Sequence, residues 1–76
     1  MNKTRRAALA DLQNKIDELK ADVETYRDEE TEYYENMPEG LQDGDRGSDS
    51  QTAIDNLEDV ISNLEDALSS IEAAQE

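Results

Sequence analysis

The sequence predicts an all-α protein: an antiparallel two-helix hairpin, coiled-coil-like, that dimerises into a four-helix bundle. Three observations predict it. Apolar residues recur at alternating steps of three and four from Leu9, Pro38 interrupts the pattern, and the same steps resume at Ile54. The chain of 76 residues is read as one domain, 1–76, near the size at which a single core barely suffices and a partner or staple is often needed.

The first helix is expected over 4–36. Leu9, Leu12, Ile16, Leu19, Val23, Tyr26, Tyr33 and Met37 fall on a heptad seam, with Glu30 as its one polar exception. Pro38 disfavours helical geometry at Met37 and cannot continue the hydrogen-bond ladder. A loop is expected over 37–49. Within it "MPEG" suits a type I turn, with Pro at the second position and Gly at the fourth. Ser48 and Gln51 have the spacing of a capping box opening the second helix, 50–75. That helix reads as three near-copies, "IDNLEDV", "ISNLEDA" and "LSSIEAA", with Ile54, Leu57, Ile61, Leu64, Leu68 and Ile71 on its seam.

Antiparallel packing aligns Tyr33 with Ile54, Tyr26 with Ile61, Val23 with Leu64, Leu19 with Leu68 and Ile16 with Ile71. It sets Lys20 and Arg27 along the same edge as Glu58, Glu65 and Glu72. Ala53, Val60, Ala67 and Ala74 flank the second seam and widen its apolar stripe beyond what one helix covers. A homodimer is therefore expected, with a monomeric hairpin and a hetero-complex as alternatives. Lys3, Arg5 and Arg6 are expected to approach Glu72 and Glu76.

Several function classes are excluded by residue content. Cysteine and histidine are absent, which removes disulfides, the usual zinc sites, thiol nucleophiles and the imidazole of most catalytic triads. The chain is read as not an enzyme, with no cofactor and no metal. "DGDRGSD" begins like a calcium loop at Asp43 and Asp45, but Ser48 stands where that loop needs its glycine and Ile54 where it needs its glutamate. The basic start "MNKTRRAALADLQNK" is followed by no unbroken apolar run, so no secretion signal and no membrane span are expected. The absence of cysteine fits a reducing cytoplasm.

Charge carries the functional expectation. The net charge is −14; residues 1–27 hold six bases and five acids, while 28–76 hold sixteen acids and only Arg46. Nucleic acid and anionic membranes are repelled by such a surface, whereas basic proteins are attracted. Asp55, Glu58, Asp59, Glu65, Asp66 and Glu72 recur along the outer face of the second helix, where a row of carboxylates can imitate successive phosphates. An inhibitor that mimics DNA charge and occupies a basic DNA-binding protein, such as a repair glycosylase or a defence nuclease, is the leading expectation. The alternative is a structural or adaptor bundle whose acidity only solubilises it. Tyr34, Met37 and Leu41 are read in two ways, as a plug over the bundle end or as an apolar contact patch within an acidic rim. Tyr33 is placed on the core side and Tyr34 at its edge.

The segment "YYENMPEGLQ", together with the acidic helix "AIDNLEDVISNLEDAL", resembles small acidic helical-hairpin proteins of phages and other bacterial mobile elements. The resemblance covers most of the chain. It implies a phage or prophage setting, hence the cytoplasm of a bacterial host, and a two-helix form; it brings no activity and no functional residues.

Overall fold

The computed structural model describes residues 1–76, and its secondary structure is entirely helical. Helix α1 spans Lys3–Glu35, a single turn α2 spans Glu39–Gln42, and α3 spans Asp45–Ala74. No helix is long and apolar enough to cross a membrane.

Each end of α1 has an identifiable cap. Asn2 stands in extended geometry and its side chain accepts from the Arg5 amide at 2.7 Å, satisfying one of the free donors of the first turn. At the other end, Pro38 cannot supply the usual i+4 donor to the Tyr34 carbonyl, which instead accepts from the Met37 amide at 3.1 Å and from Gln42 Nε2 of α2 at 2.9 Å.

The connection differs from the expected loop over 37–49. Pro38 has φ −56° and ψ 145°, which is extended and not the second position of a type I turn. Its carbonyl instead accepts from the Leu41 amide at 2.8 Å and the Gln42 amide at 3.1 Å, opening α2. α3 then begins at Asp45, capped by Gly44, and Ser48 already lies inside the first turn with its amide bonded to the Gly44 carbonyl at 3.0 Å. The capping box at Ser48 and Gln51 is therefore not formed. Asp45 in the first turn suits the positive helix end. Gly47 allows the early start: a Cβ there would run into the Gln42 backbone, so only glycine lets α3 pass this close to α2.

α3 lies back along α1 in the opposite sense. Near the carboxyl end of α3, Gln75 Nε2 donates to Gln13 Oε1 at 2.8 Å; further along, Glu65 pairs with Lys20 at 3.4 Å; close to its start, Ser50 Oγ donates to Glu30 Oε1 at 3.1 Å. The Cα atoms extend over 58 × 14 × 12 Å.

The seam on α1 is not the expected one. The half-buried residues on α1 follow Leu9, Gln13, Ile16, Lys20, Val23, Arg27, Glu30 and Tyr34, with Ala10, Glu24 and Thr31 beside them, and lead to the buried Met37, whereas Leu12, Leu19, Tyr26 and Tyr33 stay 45–62% exposed. The pairings of Tyr33 with Ile54, Tyr26 with Ile61 and Leu19 with Leu68 are thus overturned. With about 100° between successive residues, α1 is turned by about 50° from the expected seam. The turn aims Lys20 at Glu65, gives Glu30 a partner in Ser50 and brings Tyr34 and Met37 under the α2 connection. Lys20 and Arg27 tolerate the inward position because their aliphatic stems cover apolar surface while the charged heads reach outward. On α3 the seam is as expected, with Ile61 buried and Ile54, Leu57, Leu64, Leu68 and Ile71 half-buried.

Candidate functional site: an acidic helical face

The outer face of α3 carries Asp55, Glu58, Asp59, Glu65, Asp66 and Glu72, and every one of them is exposed. Helical spacing sets them out in two neighbouring rows. Glu58, Glu65 and Glu72 repeat every seventh residue, about 10 Å apart, and Asp59 and Asp66 run beside them at the same interval. They face out because the positions between them hold the seam leucines and isoleucines. Of these six, only Glu65 is in an ion pair, with Lys20.

The remaining cations do little to neutralise the face. Arg27 was expected opposite Glu58 and Glu65, but its guanidinium pairs with Asp28 at 3.0 Å, the neighbouring residue on its own helix. Lys15 pairs with Asp11 at 3.5 Å, also on α1. Lys3, Arg5 and Arg6 form no ion pair with Glu72 or Glu76, contrary to expectation. With Gln13 bonded to Gln75 near the end of α3, Arg6 lies about 10 Å further along α1 and projects past its intended partners.

The second group of candidates surrounds the connection between α1 and α2 and is unequally exposed. Met37 is 9% exposed and Tyr34 is half-buried, while Leu41 on α2 is 44% exposed. The tyrosines are reversed from the expected order, since Tyr33 is half-exposed and Tyr34 turns inward, a direct result of the rotation of α1. The surface has no pocket, and no three acidic side chains stand close enough together to hold a metal ion.

The apolar margin of Ala53, Val60, Ala67 and Ala74 continues into a neighbouring row not singled out from the sequence, Asn56, Asn63 and Ser70. Along α3, Ala53, Asn56, Val60, Asn63, Ala67, Ser70 and Ala74 follow the three-four spacing with no charge among them, although the helix holds eight acids. The signal was available as a run of uncharged heptad positions in so acidic a chain. Comparison with known families, with curated proteins and with solved structures finds no match to this chain.

Proposed function

We propose that the chain is an acidic interaction protein that imitates the charge of DNA and occupies the DNA-binding surface of a basic protein, in the form of a helical hairpin that pairs with a second copy of itself. The observation that carries this is the row Asp55, Glu58, Asp59 and Asp66: exposed, regularly spaced on a long helix and free of ion pairs. A row of this kind attracts a phosphate-binding surface over distance and displaces the same counterions that DNA would.

Charge density supports the paired form. Fourteen net charges over 58 Å is one per about 4 Å, and two copies side by side bring this to one per about 2 Å, close to the ~1.7 Å of duplex DNA. A contact patch of Tyr34, Met37 and Leu41 receives less support, because Met37 retains too little free surface to anchor a partner.

The test uses a basic repair glycosylase or a nucleoid protein as probe, with duplex DNA as competitor. Neutralising Asp55, Asp59 and Asp66 together to Asn should weaken binding by at least about tenfold while circular dichroism stays helical, and wild-type binding should fall steeply with salt. Glu65 is left out of the set because its change would also remove the Lys20 pair. A probe that holds DNA and this protein at once would rule the proposal out. So would loss of binding on Leu41→Ala with none on neutralisation, which is the behaviour of an adaptor.

A further inference from the structure

We infer that the second copy packs on one defined edge of the chain, with its two-fold axis along the long dimension, so that α1 of each copy lies over α3 of the other. The inference rests on the pairing proposed above, and adds its face, symmetry and register.

A lone chain is short of core. Only Met37, Gly47, Ser50 and Ile61 are buried, and no side chain is fully enclosed. Meanwhile Leu12, Leu19, Tyr26 and Tyr33 form an exposed stripe with a seven-residue repeat on α1. The Lys20–Glu65 pair marks one edge of the two-helix layer. On α1 the stripe lies to the far side from Lys20, and on α3 the residues Ala53, Val60, Ala67 and Ala74 lie to the far side from Glu65. In antiparallel helices both therefore share the opposite edge. It is about 32 Å long from Leu12 to Tyr33 and two helices, or about 20 Å, wide. Each copy thus offers on the order of 600 Å², which places the pair at the lower bound of stable interfaces.

Side-chain size selects the symmetry. The bonds Lys20 to Glu65 and Gln13 to Gln75 show which residues of α1 and α3 share a level along the molecule. A two-fold axis along the length preserves those levels. Leu12 then faces Ala74 of the second copy, Leu19 faces Ala67, Tyr26 faces Val60 and Tyr33 faces Ala53: large side chains over small ones at every step. Beside them Lys15, Asp22 and Glu29 come level with Ser70, Asn63 and Asn56 of the second copy, so each charged group meets a neutral amide or hydroxyl able to bond it. The uncharged run on α3 is thereby accounted for. An axis across the length would instead stack α1 on α1, tyrosine against leucine, with Asp22 facing Asp22, and alanines against alanines on the other side.

The chain contains no cysteine, so single cysteines report cleanly. Leu19→Cys protein mixed with Ala67→Cys protein should give mixed disulfide dimers on mild oxidation, in clear excess over a mixture of Leu19→Cys with Tyr26→Cys. A reversed preference, or equal yields, overturns the arrangement while leaving a dimer intact. Leu19 is 54% exposed in the single chain, and Ala67, half-buried at the margin of the seam, is replaced by a side chain only one sulfur larger, so both substitutions leave the seam residues themselves unchanged. Sedimentation of the wild-type chain gives the second arm: a helical species of 8.6 kDa at high concentration overturns this arrangement and the proposed dimer together.

Discussion

Ser50 Oγ donates a hydrogen bond to Glu30 Oε1 across the two long helices, at 3.1 Å. Glu30 is the polar exception in the apolar series of α1, and Ser50 is only 3% exposed, so each supplies what the other's surroundings withhold. A polar pair at a seam position favours one register over its neighbours, as buried polar groups do in coiled coils.

Removing the donor should be costly out of proportion to its size. Ser50→Ala leaves the carboxylate partly unsatisfied and should lower stability by about 1–2 kcal/mol, less the few tenths that alanine returns as a better helix former. Pairing it with Glu30→Leu should recover that loss, since two apolar groups have nothing left unbonded. Urea denaturation of both variants checks the order; a double variant weaker than Ser50→Ala would show that the bond is not what holds this level together.

Two glycines should respond in opposite directions to the same substitution. Gly47→Ala drives a methyl group into the Gln42 backbone and should cost about 1–3 kcal/mol, whereas nothing lies within 4 Å of a Cβ at Gly40. Gly40 is in α2 and has no positive φ, so Gly40→Ala should stabilise by about 0.4–1 kcal/mol through reduced freedom of the unfolded chain. Thermal melting distinguishes the two.

Leu64 and Asp66 are two residues apart on α3 and face opposite ways. Leu64→Asp places an unpaired charge on the seam and should abolish cooperative folding. Asp66→Ala alters a solvated residue and should stay within about 0.5 kcal/mol of wild type. Far-UV circular dichroism with sedimentation records both outcomes.

Salt should stabilise the chain. Two of its three ion pairs join residues on the same helix, and only Lys20–Glu65 links α1 to α3, so attraction across the helices is slight against a net charge of −14. Screening at 0.1 M ionic strength acts beyond about 10 Å and removes mostly repulsion. A melting temperature that falls on adding salt would instead give Lys20–Glu65 the larger part.

The helices themselves were legible because their causes are local. Heptad spacing identifies the runs Leu9 to Tyr33 and Ile54 to Ile71 as helical, and Pro38 ends the first by geometry that involves only its immediate neighbours. The acidic outer face of α3 followed from the same periodicity. The early start of α3 at Asp45 was not legible, because its condition is a close passage of Gly47 over Gln42 that exists only once α2 has formed. Nor was the rotation of α1. A heptad marks a broad face, and whether Leu19 or Lys20 turns toward the neighbouring helix depends on what Glu65, Ser50 and Gln75 offer from 20 to 62 residues away. Backbone hydrogen bonds reach only four residues along a helix and so determine that it forms; the side of it that is covered is decided by pairings between segments far apart in the chain, whose differences amount to one or two hydrogen bonds.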